Sequence, residues 1–298
     1  MKGARGWRNE VVWIPFLAPA MLLAILLVGI PIFGNLYLSI HRADLSALSG
    51  GVMPYVGIQQ FIELFQDQSF LSSVQLLLYF ALATTALELP IALFVAFYLD
   101  QIWNPPKLVQ TLLIVPMFVL PVVSGLTFRY LADPLEGPIG VLFPHLGLEA
   151  PDILGSTWGA FSLIVVQDVW RMWPFVFMML YAAMKGLNRD PIEAIKLDGA
   201  NHWQVFRFVI FPELLPTIIA ASLLKGIESL RAFTEIYVMT GGGPGESTSV
   251  LSMFIVKQIT EFSQFGYGAA ASTTLFLWGV AMAGFFAWGQ RWQERRDR

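Results

Sequence analysis

Asn188-Arg-Asp-Pro-Ile-Glu-Ala-Ile-Lys-Leu-Asp-Gly-Ala-Asn-His-Trp-Gln-Val-Phe-Arg-Phe-Val-Ile-Phe-Pro212 is a charged segment set between two long apolar runs. Its local chemistry predicts two short helices. Asp190 can N-cap the first, with Pro191 at the first helical position and Glu193 where a capping box needs a carboxylate. Gly199 can take positive φ and end that helix. Asn201 can cap a second helix, with Gln204 at the reciprocal position, and Pro212, which lacks a donor N–H, closes the unit. A plain connection needs only a few residues. Three readings stay open: an amphipathic elbow on a membrane surface, a docking element for a partner, and a DNA-binding helix-turn-helix. The flanking apolar runs count against the third, so no nucleic-acid partner is expected.

Outward from this segment the chain is apolar. Of its 298 residues 56% are hydrophobic and 13% charged, against about 25% charged in soluble domains, and mean hydropathy is +0.63. Crossing the hydrocarbon layer takes about 20 apolar residues as helix. Six stretches qualify, at about 13–40, 74–99, 108–131, 159–183, 214–240 and 266–289. They lack strict alternation, which argues against barrel strands. The expected fold class is all-α, a polytopic membrane protein with six transmembrane helices in a single transmembrane domain over 1–298. Segment 188–212 is its insert.

The first stretch is expected to be a retained span. Its apolar run is too long for a signal peptide, and the A-x-A-like triplet Ala18-Pro19-Ala20 precedes the run. Lys2, Arg5, Arg8, Arg291, Arg295, Arg296 and Arg298 flank the ends, Lys107 precedes span three, and Lys185, Arg189, Lys196 and Arg207 surround the insert. The loops 132–158 and 241–265 carry only Lys257. By the positive-inside rule the insert and both termini are expected to be cytoplasmic. Cysteine is absent, which removes disulfides and thiolate metal sites. His41, His145 and His202 are scattered, without metal-ligand spacing.

Glu193-Ala194-x4-Gly199-x9-Val209-x-Phe211-Pro212 resembles the loop signature of binding-protein-dependent ABC importer permeases, with apolar replacements at Ile195, Val209 and Phe211. Asp198, Ala200 and Trp203 extend the likeness. Trp170-Arg-Met-Trp-Pro174-Phe175, Tyr237-Val-Met-Thr-Gly-Gly-Gly-Pro244, Phe265-Gly-Tyr-Gly-Ala-Ala-Ala271 and Tyr55-Val-Gly-Ile-Gln-Gln-Phe61 are similar to the maltose-type carbohydrate subfamily. The resemblance implies the type I importer permease architecture. It also implies that the insert is a coupling helix seated on an ATPase subunit, with Glu193, Ala194, Asp198, Gly199, Ala200 and Pro212 as its residues. Glu193 would make a polar contact and Gly199 would shape the turn. Implied partners are a second, related permease subunit, an ATPase dimer, an extracytoplasmic substrate-binding protein, and a sugar or polyol, all in a lipid setting at the bacterial or archaeal inner membrane.

Ionisable residues inside spans are costly and call for a reason. Span four carries Gln167, Asp168 and Arg171, span five Lys225, Glu228, Arg231 and Glu235, and span two Glu88. Asp168, Arg171 and Phe175 share a helical face, as do Lys225, Glu228, Ala232 and Glu235. Such stripes should face one another or a wet cavity. They are either intrahelical ion pairs that lock packing or the wall of a solute path. Counting back from the matched motifs, the resemblance implies the second, through Asp168, Arg171, Met172 and Phe175 on span four and Lys225, Glu228, Ser229 and Ala232 on span five. Asp168, Glu228 and Glu235 would balance Arg171, Lys225 and Arg231, which suits a neutral polyhydroxylated solute. Trp170 and Trp173 could stack on a sugar ring or simply fill a helix interface.

Two other classes compete. A stand-alone secondary transporter could relay protons through Glu88, Asp168 and Glu228, but such folds carry more spans with internal repeats. A membrane enzyme would want clustered His or an activated nucleophile. No P-loop sequence occurs. No catalytic residue, metal or cofactor is therefore expected in this chain, and ATP and Mg would be bound by the ATPase subunits.

Overall fold

The computed structural model describes residues 14–101 and 105–296. Trp13, Lys2, Arg5, Arg8 and Arg298 lie outside the described residues, as do the side chains of Arg291, Arg295 and Arg296. Among the described residues there is no β-strand, only an isolated antiparallel bridge between His41 and Tyr55. Among the described residues five helices are long and apolar enough to cross a membrane, or six if one bent pair counts as a span. Backbone donors and acceptors satisfied within each helix are what lipid demands.

The chain divides into two compact units, residues 1–67 with 255–276 and residues 68–254 with 277–298. In the first, α1 (Ile14–Ala24) and α2 (Ile30–Ser39) are joined through a π turn at Ile25–Gly29. None of this stretch's apolar window is buried within the chain, as expected of a helix solvated by lipid. The short α3 (Gln59–Gln66) is amphipathic. Gln60 donates to the carbonyls of Ser39 and His41 at 2.9 and 3.1 Å. Asn35 reaches Thr273 Oγ1 at 2.9 Å.

The second unit is built on α4 (Gln68–Gln101). At 34 residues it is about 51 Å long, well beyond the roughly 30 Å hydrocarbon layer. Its inner face carries Phe70, Leu77, Phe80, Thr84, Ala92, Ala96 and Leu99 at i, i+3/i+4 spacing, all buried. Small residues on that face allow close helix approach. The next span is not one straight helix. The following α5 (Lys107–Ile114) starts after an extended Pro106, and it meets α6 (Pro121–Leu131) at 88°. Pro116 lies in a tight 3-10 turn and Pro121 starts a fresh helix. Two missing N–H donors within six positions are the physical cause.

After the short α7 (Pro138–His145), α8 (Thr157–Lys185) packs along α4. Ser156 caps α8 by accepting from Gly159 N at 3.1 Å. Then follow α9 (Arg189–Leu197), α10 (His202–Val205), α11 (Phe211–Ser229) and α12 (Thr234–Thr240). The chain closes with α13 (Leu251–Thr260) and α14 (Phe265–Arg296).

Candidate functional site

Lys225 on α11 is fully buried and held by three carboxylates. Its Nζ lies 2.6 Å from Asp168 Oδ2, 3.1 Å from Glu228 Oε2 and 3.2 Å from Glu88 Oε1. Arg171, one turn along α8 from Asp168, stands 3.6 Å from Asp168, 3.7 Å from Glu228 and 3.7 Å from Glu235. The two stripes therefore face each other. The intrahelical pairs Asp168–Arg171 and Lys225–Glu228 both exist, yet the shortest contact, Lys225–Asp168, runs between helices. Glu88, Asp168, Lys225 and Glu235 are sealed, while the Glu228 side chain is 35% exposed. Glu228 is the network's opening.

Two sequence expectations need correction. First, the stripe on span five is not one helix face. The helix ends at Ser229 and restarts at Thr234, with Phe233 at φ −146°, ψ −59°. Glu235 reaches Arg171 across that break rather than along a continuous turn. Second, the charges do not balance as expected. Arg231 is exposed and outside the network, because the break turns it away, and Glu88 takes a place in it. The cluster holds four carboxylates and two cations. Glu88 Oε1 and Oε2, Gln167 Oε1 and Arg171 Nε make no hydrogen bond, although Glu88 Oε1 is ion-paired with Lys225.

The other residues on the expected path are placed differently. Met172 is buried and Phe175 is packed against the hydrophobic core of this unit. Ser229 Oγ donates to Lys225 O at 3.0 Å, and Ala232 sits in the helix break with its carbonyl accepting from Ser252 Oγ. Trp170 packs on Phe128 and Trp173 on Phe177, with ring centroids 5.6 and 5.8 Å apart. Gln167 donates to Ser124 on α6 at 2.8 Å. A Cβ on Gly125 of α6 would stand 2.5 Å from Val238 Cγ2, so only glycine lets α6 and α12 approach and hold Glu235 in place.

The insert has a buried underside and a bare outer face. Ile192, Val205 and Ile210 join Ala96, Leu99, Leu180 and Met184 in one hydrophobic core. Glu193, Ala194, Leu197, Asp198 and Gly199 are exposed, Leu197 at 88% and Trp203 at 62%, and Ala200 is half-buried. The fastening at its base escaped sequence reasoning. Asp100, whose side chain is covered at the end of α4, accepts Arg189 Nη1 and Nη2 at 2.7 and 2.8 Å and pairs with Lys185 at 2.9 Å. Those bonds hold the Arg189 guanidinium above its ordinary pKa. Lys196 reaches Gln101 at 2.8 Å. A carboxylate at the end of an apolar run looks like a plain boundary residue, and only tertiary structure supplies its partners.

Local expectations for the insert hold in part. Asn201 and Gln204 form the reciprocal capping box, with bonds of 2.9 and 2.8 Å, and Gly199 has φ +85°. The cap of α9 is Asn188, accepting from Asp190 N at 3.1 Å, not Asp190. Pro191 is then the third helical residue, which lacks an intrahelical acceptor just as the first does. Pro212 does not close the unit. It is exposed and follows a π turn at Phe206–Ile210, and the chain is helical from His202 to Ser229. Widening the turn is how a helix accommodates a proline ring and its missing donor.

This arrangement of spans is shared with solved transporters. A bacterial ABC transporter involved in the import of the acidic polysaccharide alginate matches with a TM-score of 0.81 at 19% identity, covering 95% of this chain and 96% of that one. At that identity the likeness defines the fold, that of an ABC importer's membrane subunit. Residues 88–296 match the family described as binding-protein-dependent transport system inner membrane component, and the chain belongs to it. A protein of Sinorhizobium fredii, "Probable ABC transporter permease protein y4oQ", is 30% identical over 91% of this chain and 84% of its own. The trehalose/maltose transport system permease protein MalF of Thermococcus litoralis is 27% identical over 87% and 86%. The chain is thus a multi-pass permease subunit of an ABC importer, which displaces the stand-alone transporter reading.

Proposed function

We propose that the chain passes a neutral sugar or polyol inward, receiving it from an extracytoplasmic binding protein and driven by a separate ATPase dimer that holds ATP and Mg. A second, related permease subunit would complete the passage, with both termini of this chain in the cytosol. The observation that carries this reading is the two-sided insert. Its underside is fixed to spans two and four through Asp100 and the shared core, and its outer ridge, from Glu193 to Trp203, is uncovered. A ridge pressed from the cytosol would move spans two, four and five together. Glu193 and Gly199 supply the polar contact and the turn, with Ala194, Asp198, Ala200 and Pro212 completing the motif.

The solute class draws on the relatives, whose names refer to trehalose and maltose, sulfoquinovosyl glycerol and sn-glycerol-3-phosphate. All are polyhydroxylated. With two cations already gripped by four carboxyl groups, the network has no spare cation for an anion to pair with, so a neutral member of the class fits better. Asp168, Arg171, Lys225 and Glu228 would line the path, with Glu228 reached first, while Met172, Phe175, Ser229 and Ala232 shape its packing. The test is thermal-shift screening of the cognate binding protein against maltose, trehalose, glucitol and glycerol 3-phosphate, followed by uptake in proteoliposomes holding the whole transporter. Stabilisation by a neutral sugar or polyol and ATP-dependent uptake of it are expected. Stabilisation by glycerol 3-phosphate alone would overturn the neutral solute, and uptake without the ATPase would overturn the lever.

A further inference from the structure

The first half of α4 sorts its side chains onto three faces. Phe70, Ser73, Leu77 and Phe80 point into the protein and are buried. Leu71, Val74 and Leu78, spaced i, i+3, i+7, form an apolar face that is open or half-open. Gln68, Ser72, Gln75 and Tyr79, spaced i, i+4, i+7, i+11, form a separate face of uncharged hydrogen-bonding groups, with Gln75 and Tyr79 exposed. A helix end that merely emerged among lipid headgroups would have no cause to separate its two exposed faces. The polar face, with Leu76 beside it, borders an open cavity of about 450 Å³ whose other side is the loop Gly245–Ser247, where Glu246 is the one charged residue of the lining. That volume lies within the roughly 300–1,000 Å³ of small-molecule sites. The charged network begins at Glu88, nine residues further along the same helix, so the two places are distinct.

We propose that this face is a water-lined station for a neutral polyhydroxylated solute on its way to the charged network. It rests on the sugar or polyol reading above. Amide and hydroxyl groups donate and accept in turn, as a sugar's hydroxyls require, and a tyrosine ring offers a flat apolar surface to a pyranose. None of the four helix side chains is charged and Glu246 is the one charged residue of the lining, so a neutral solute would be held by hydrogen bonds and not by a counter-ion, weakly enough to move on. Because the chain contains no cysteine, single cysteines can test the assignment in the assembled transporter with its binding protein. A membrane-impermeant charged thiol reagent is expected to label Ser72→Cys, Gln75→Cys and Tyr79→Cys about tenfold or more faster than Leu71→Cys, Val74→Cys and Leu78→Cys, since a thiolate forms only in water. Maltose, trehalose or glucitol is expected to slow labelling of Gln75→Cys by about twofold or more, the effect of half-occupancy. Equal labelling of both faces, or none on the polar face, as when a partner subunit covers it, overturns the station. So does labelling that none of the three probes slows while the binding protein binds one of them. A binding protein that ignores all three probes instead overturns the solute class.

Discussion

Two charge clusters anchor the second unit, and they differ in their access to water. At one end Asp100 gathers Lys185 and Arg189, a buried carboxylate under two cations whose side chains are 43% and 38% exposed. In the middle, Lys225 and Arg171 sit among four carboxylates, of which only Glu228 is substantially open. The first is a fastening, rich in positive charge and closed around a single acceptor. The second is short of positive charge and leaves buried polar atoms without hydrogen bonds. Buried pairs seldom repay their desolvation, yet losing one member strands the rest. A fastening needs only to stay shut. An under-satisfied cluster beside an opening is what a passage needs if its solute is to supply the missing bonds.

Substitutions can break this contrast. The largest effect is expected from Lys225→Met, which leaves Glu88 buried without its cation and Asp168 with Arg171 alone. A loss of about 3–5 kcal/mol follows from stranding buried charge, read as failed assembly or a lowered Tm in detergent. A variant that melts like the wild type would show that the cluster is wetter than its geometry. Asp100→Ala should cost about 2–3 kcal/mol, the scale of a charge-assisted hydrogen bond. It should also lower ATPase stimulation by the loaded binding protein. Gly199→Ala, forced into φ +85°, should cost about 1 kcal/mol and weaken ATPase co-purification. Glu193→Ala, on the bare ridge, should change Tm negligibly, within about 0.5 kcal/mol, while uncoupling hydrolysis from uptake. High salt sharpens the comparison. At about 1 M, where screening acts over about 3 Å, the half-exposed fastening should loosen and the sealed cluster should not, so wild-type Tm should fall more than that of Asp100→Ala.

Much of this contrast was legible in the sequence wherever local rules govern. Hydropathy located the helices because lipid demands length and apolarity. The Asn201–Gln204 box and the turn at Gly199 depend on neighbours only three or four residues away. The facing of the two polar stripes followed from helical phase. What escaped depends on distant partners or on broken helices. Asp100 meets Arg189 across 89 positions, a pairing that no pattern marks. Glu88 was visible as a costly buried acid, but its attachment to Lys225 was not. Arg231 was counted in because the helix was assumed to continue past Ser229. Local rules make proline a terminator, yet at Pro212 a widened turn absorbs it, while at Pro116 and Pro121 the chain bends sharply.

The widened turn at Phe206–Ile210 has a mechanical meaning. Because it preserves helical continuity, no break separates the exposed end at His202 from Lys225, about 35 Å away at 1.5 Å per residue. If the insert is pressed as proposed above, a tilt imposed at its foot would travel along one helix, past Pro216, toward the cation that three carboxylates grip, and the helix itself is first interrupted after Ser229.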